Sequence, residues 1–341
     1  MSRIESVDVA RLIAVTAVIA IHTKPFYGSS SADGKYLSIL LDQLARFAVP
    51  FFFIISGFFW GAKINKNGAV TSTSIVMAKR IFYLFIFWCI VYALPYNLNV
   101  MTEYGFFGAV KDAYGNFIKL TNEPVTLLMQ GTKDHLWFLI ALLFSLGISA
   151  FFVEKKRYKT LFVISVALYV IGLMCKAYAD TPLGIHVNFN TRNGPFFGTI
   201  FFVSGYALSN LKPNPGWFAK GIALLAVGSL IHFTEVYFLW RAYGTSPYQD
   251  YVIGTYFMGV GAAMAALSND AILKNAVLSE IGKFTLGIYA VHLIFVDNLH
   301  PIGELTHSPL WAVGYVMVVL LLSIITVLLL ARTKFGRKFV V

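Results

Sequence analysis

Charge is scarce in this chain of 341 residues: Asp, Glu, Lys and Arg together make up 13% of it, where a soluble globular protein carries about a quarter. Cysteine is scarcer still. The two present, Cys89 and Cys175, lie in or beside apolar runs and supply neither a metal-ligand spacing nor a disulfide framework. There is no P-loop, no dinucleotide fingerprint and no zinc spacing, so the short motifs of nucleotide and metal chemistry are missing and no metal is expected. The polar–apolar alternation of a membrane β-barrel is missing as well. The first apolar run also lacks the small-residue cleavage site of a signal peptide,. What remains is apolar mass: 58% hydrophobic residues, 31 Phe and 18 Tyr, at a mean hydropathy of +0.71. Several runs approach the roughly 20 residues needed to cross a bilayer. The expected fold class is all-α, a polytopic membrane helix bundle forming a single transmembrane domain over residues 1–341.

The apolar runs predict ten transmembrane helices, at about 7–25, 38–60, 81–98, 136–153, 160–178, 194–210, 217–239, 251–268, 284–300 and 310–331. Pro and Gly cluster in the connections. Seventeen of the 27 Lys and Arg residues, beginning with Arg3, fall on one side of this topology, eight on the other, and Arg11 and Arg46 within spans. That asymmetry predicts that both termini are cytoplasmic. The net charge of +11 then marks a face turned to anionic membrane lipids, and no nucleic acid is expected as a partner. The largest connection, about 99–135, is read as a loop on the outer side. Its Tyr104, Tyr114, Asn116, Asn122 and Glu123 suit a sugar contact and an ordinary interfacial loop equally.

The first span, "DVARLIAVTAVIAIH" from Asp8 to His22, carries three ionisable groups. Eleven residues separate Arg11 from His22, about three helical turns and about 16 Å, so the two face the same way. Asp8, three residues before Arg11, is placed to pair with it. Ionisable residues within spans cost at least about 2.5–3.5 kcal/mol at the bilayer centre and usually face a bundle interior or a watery cavity. Their alignment predicts a lined passage across most of the membrane. The alternative is an inner ion pair and an unrelated interfacial histidine.

Other polar groups admit two readings each. Arg46 lies four residues after Asp42, so it either pairs structurally with it or contacts substrate; Pro50, four residues on, should kink or break the helix. Trp137, beside His135, suits an interfacial anchor. Arg192, at the outer end of its span, suits either a clamp on an acceptor phosphate or carboxylate or a side chain snorkelling to headgroups. His232, Glu235, Asp297 and His300 read as hydrogen-bonded filler. The echo between "IISGFF" and "FVSGYA" is more simply small residues letting helices approach than an internal duplication.

Arg11, ten intervening residues and His22 resemble the signature of the bacterial acyltransferase-3 family of integral membrane O-acyltransferases. "RFAVPFFFIISGFF" at 46–59, "HLWFL" at 135–139, "RNGPFFGTIFFVSGY" at 192–206 and "IGKFTLGIYAVH" at 281–292 resemble the same family over nearly the whole chain. "HLWFL" and the short length look most like surface-polysaccharide O-acetyltransferases. The resemblance implies an O-acetyltransferase of the bacterial cytoplasmic (inner) membrane that takes acetyl-CoA as donor and a lipid-linked or cell-surface glycan as acceptor. In that scheme His22 is a general base, assisted by Asp8 and His292. Arg11, with Lys79 and Arg80, binds the CoA phosphates, and Arg46, His135, Trp137 and Arg192 bind substrate. The rival class is a secondary transporter or exporter, which ten spans and intramembrane charges suit as well.

Overall fold

A computed structural model describes residues 4–306 and 308–340; Arg3, assigned by sequence to the inner face, lies outside them. Every helix-forming run is used, and no strand occurs among the described residues. The helices are α1 Glu5–Thr23, α2 Ala32–Ala45, α3 Ala48–Asn67, α4 Val70–Ala93, α5 Leu98–Thr121, α6 Pro124–Gln130, α7 Trp137–Glu154 and α8 Tyr158–Met174. They continue with α9 Pro195–Ser209, α10 Gly216–Tyr243, α11 Ile253–Leu267, α12 Ala276–Gly282, α13 Thr285–Thr306, α14 Pro309–Ala331 and α15 Arg337–Val340. Six helical segments are long and apolar enough to cross a membrane, the bent pair α12–α13 makes a seventh, and α8, α9 and α11 are shorter apolar helices. Each of the ten segments expected from the sequence falls on one of these. The architecture is a polytopic membrane helix bundle.

The second span is broken where its proline requires. α2 ends at Ala45 and α3 begins at Ala48, leaving Arg46 and Phe47 as a turn four residues before Pro50. A proline there cannot donate to the Arg46 carbonyl, and its ring crowds it. The two SG motifs pack against each other's backbone: a Cβ at Gly57 would collide with the Phe202 carbonyl oxygen, and one at Gly205 with that of Ile54. Close approach of α3 and α9 is therefore what the echo encodes. Phe53 of α3 sits edge-on to Phe138 of α7 at 4.7 Å and to Phe197 of α9 at 5.9 Å, geometry that adds about 0.5–1.5 kcal/mol per pair beyond area burial.

Two sequence expectations are corrected. The connection at 99–135 is helical, with α5 interrupted at Gly105 (φ 69°, ψ 177°) and α6 opened by Pro124. α5 carries too little apolar length for a span and exposes Phe106 and Phe107 instead. α4 begins at Val70, eleven residues before the predicted start of its span, because the uncharged stretch 70–78 continues the helix. Lys79 and Arg80 consequently lie within α4, on its exposed face, and not in a connection before it.

Candidate functional site

α1 ends abruptly at Thr23, one residue after His22. Lys24 adopts a left-handed conformation (φ 46°, ψ 60°) and donates its N–H to the Ala20 carbonyl, which places the partly buried His22 in the last turn. It faces a cavity of about 400 Å³ whose lining includes Val18, Arg46, Trp137, Arg192, Asp250 and Tyr289. Four of the residues singled out by sequence, His22, Arg46, Trp137 and Arg192, thus share one cavity although they come from α1, the α2–α3 turn, α7 and the segment before α9.

Behind His22 lie two more imidazoles. The His292 ring is 5.1 Å from that of His22, and the His135 ring is 5.3 Å from that of His292. Both are fully buried. The peptide carbonyls around them fix their protons, because a carbonyl can only accept. His292 Nδ1 donates to the Tyr289 carbonyl at 2.6 Å, and His135 Nε2 donates to the Ala290 carbonyl at 3.1 Å. Tyr92 also donates to the Ala290 carbonyl, at 2.7 Å, and the Tyr289 hydroxyl donates to the His135 carbonyl. The remaining nitrogens, His292 Nε2 and His135 Nδ1, are buried with no hydrogen-bond partner. His135 therefore stands behind the cavity and does not line it, in contrast to the direct substrate contact expected of it. Among the described residues no group of three His, Cys, Asp or Glu is placed to hold a metal ion.

The cavity's charged wall is organised by a residue that the sequence did not single out. Asp250 is within 2.8 Å of Arg46, 2.9 Å of Lys176 and 3.7 Å of Arg192. Burial by itself would raise its carboxyl, but Arg192, Arg46 and Lys176 hold it well below the usual carboxylate range. Arg46 also grips Asp42 at 2.8 Å. Asp42 accepts in turn from Gln43 Nε2 at 2.6 Å, and the Gln43 Oε1 faces His232 Nε2 at 2.9 Å. His232 is accordingly a satisfied histidine behind the wall. Arg192 lies with its guanidinium 4.8 Å from the Trp137 ring, a cation–π contact. Trp137 is buried and holds this arginine, so it is not an interfacial anchor. Asp250 carried no local signal: it sits in a connection, 204 residues from Arg46.

The other end of α1 is a separate place. Arg11 pairs with Asp8 at 2.9 Å, as the spacing predicts, and its guanidinium lies 5.2 Å from the Phe59 ring. Asp8 is fourteen residues from His22, about 21 Å along the helix, so the structure does not bring it to the imidazole cluster. The expected lined passage between the two ends is also corrected. The cavity below His22 includes Val18 and not Arg11 in its lining. Val15 and Val18, on the face shared by Arg11 and His22, are 0% and 3% exposed, because apolar side chains at a helix interface close-pack.

This arrangement, an imidazole lining a cavity together with two arginines and a second imidazole against it, accords with a comparison against known families: the acyltransferase domain model of the acyltransferase-3 family matches residues 4–329. The chain belongs to this family. Among curated proteins, this acyltransferase-3 member is similar to an amino-acid racemase of Enterococcus faecalis, 32% identical over 61% of this chain and 28% of that protein. It is also similar to a serine/alanine racemase of Enterococcus gallinarum, 28% identical over 59% of this chain and 28% of that protein. The match thus spans less than a third of the length of these relatives. No solved structure matches the chain significantly. The family makes the chain a membrane acyltransferase in general terms.

Proposed function

We propose that the chain moves an acetyl group from cytoplasmic acetyl-CoA to a hydroxyl of a lipid-linked or surface glycan in the bacterial inner membrane, with both termini in the cytoplasm. The observation that carries the reading is the partly buried His22 lining the cavity, backed by His292. His22 takes the proton of the acceptor hydroxyl as its oxygen attacks the thioester carbonyl. The C–S bond then breaks, and the CoA sulfur leaves with the proton held by His22. General-base assistance of this kind is worth about 10²–10⁴-fold. His292, its Nδ1 proton committed to a carbonyl, packs its ring 5.1 Å from that of His22 and so holds His22 in orientation. Arg192 and Arg46 steer the acceptor. Arg11 engages the CoA phosphates from the opposite end, with Lys79 and Arg80 as outlying cations. Transfer requires the packed layer at Val15 and Val18 to part for the pantetheine arm, a collective motion of microseconds to milliseconds. The racemase activity named for the relatives belongs to proteins of which less than a third is matched and is not carried over.

Membranes containing the chain, given acetyl-CoA and surface glycan from the producing cells, should release free CoA thiol and acetylated glycan. Release of neither would sink the reading. A specific observation keeps a second one in view: a charged cavity open at one end and closed by packed valines is also what an alternating-access transporter presents in one of its states. Solute uptake into vesicles without thiol release would favour it.

A further inference from the structure

A second and larger cavity, about 740 Å³, lies between the end of α4, the underside of α5 and the middle of α13. It is distinct from the His22 cavity but adjoins the imidazole cluster. Tyr92 lines it, and the Tyr92 ring is 5.1 Å from that of His135. Val296, also in its lining, is four residues after His292, one helical turn along α13.

The lining is chemically particular. At its floor Lys133 is 2.6 Å from Asp297, and the Tyr96 hydroxyl donates to the same carboxylate at 2.5 Å while accepting from Lys133 at 3.0 Å. On the α5 side Asp112 accepts from Asn116 at 3.1 Å. The positive charge of Lys133 is therefore matched by Asp297, and Asp112 adds a negative charge, so the cavity is a poor host for a phosphate or for CoA. Carboxylates and amides that accept and donate in several directions, beside the partly buried Tyr96 and the exposed Phe117 ring, suit a neutral ring dense in hydroxyl groups. The geometry points to this cavity as a binding site for hydroxyl-rich sugar units, those flanking the unit that is acylated next door. The inference rests on the glycan acceptor of the proposed function and deepens it. The sugar arrives either as free oligosaccharide or as the headgroup of a glycolipid.

The test reads binding without acetyl-CoA. The purified chain is placed in nanodiscs of phosphatidylethanolamine and phosphatidylglycerol, which carry no sugar headgroup. Saturation-transfer NMR then follows two probes: oligosaccharides released from the producing cells' surface glycan, and monoglucosyldiacylglycerol included in the disc. Saturation of sugar protons in either arm, weakened about fivefold or more by both Asp297→Asn and Tyr96→Phe and not competed by inorganic phosphate, supports the site and names the source. No saturation in either arm, saturation indifferent to both substitutions, or competition by phosphate overturns it. Tryptophan-fluorescence melting checks that each variant is folded, and Tyr96→Phe, which removes one hydroxyl, serves if Asp297→Asn is not. Sugar binding without CoA thiol release would keep this site and remove the acyl-transfer reading. Thiol release with an acceptor KM unmoved by either substitution would do the reverse.

Discussion

The ion network around Asp250 and the imidazole cluster around His292 occupy the same end of the bundle, yet they treat their polar atoms in opposite ways. In the first, Arg46 is held by Asp42 and Asp250, and Asp250 by Arg46 and Lys176, all at 2.8–2.9 Å. In the second, His292 Nε2 and His135 Nδ1 have no partner at all. The difference follows from charge. A full charge removed from water costs several kcal/mol unless it is paired, so the network is closed on itself. A neutral imidazole nitrogen costs less to leave unpaired, so it is the group that a site keeps available for a proton. Arg192 stands between the two cases: its ion pairs are long, 3.7 and 4.0 Å, and its Nε is buried without a partner. Within the charged wall it is the side chain least committed to partners.

The comparison breaks most sharply at His22. His22→Ala is expected to lower acetyl transfer by at least about 100-fold with little change in the melting temperature of the purified chain; retained transfer would remove the general base. Arg46→Ala should do the opposite, destabilising the fold by about 3–5 kcal/mol because Asp42 is left buried with an amide donor and no cation, while Asp250 keeps Lys176 and Arg192. A melting temperature equal to that of the parent chain would show that the network is dispensable.

Acid should separate the two regions as well. Asp250 has a depressed carboxyl in the folded chain, so its stabilisation is fully present above the ordinary carboxylate pKa, about 3.9, and is lost as pH falls below that value towards the depressed one. Unfolding followed by fluorescence should steepen below about pH 4, and Asp250→Asn, already less stable at neutral pH, should flatten that dependence. At the far end of α1, Arg11→Ala should raise the KM for acetyl-CoA about tenfold, the worth of a charged hydrogen bond, and leave the acceptor KM alone. The smallest effect, less than about fivefold, is expected of Lys79→Ala, since an exposed charge contributes at most about 1 kcal/mol.

Much of this was open to reading along the chain. Apolar runs located the ten helical segments, of which six, or seven with the bent pair, have the length and apolarity to cross a bilayer,. Helical periodicity paired Asp8 with Arg11 and Asp42 with Arg46, because three- and four-residue spacings bring side chains together on any helix. Pro50 announced the break before it. The start of α4 and the helices at 98–130 are not legible in this way, because polar or short helix has no bilayer-length apolar run to mark it.

What only the tertiary structure decided is which of these faces meet. His22, His135 and His292 come from three elements spread across 270 residues, and each alone looks like an ordinary histidine in a span. Asp250 looks like a loop residue until α2, the segment after α8 and the approach to α9 bring Arg46, Lys176 and Arg192 around it. Val15 and Val18 align with Arg11 and His22 by periodicity, but whether that stripe is a channel or a packed seam depends on the side chains of neighbouring helices. Spacing within a helix is fixed by its own hydrogen bonds, whereas contact between helices is fixed by the packing of all of them at once.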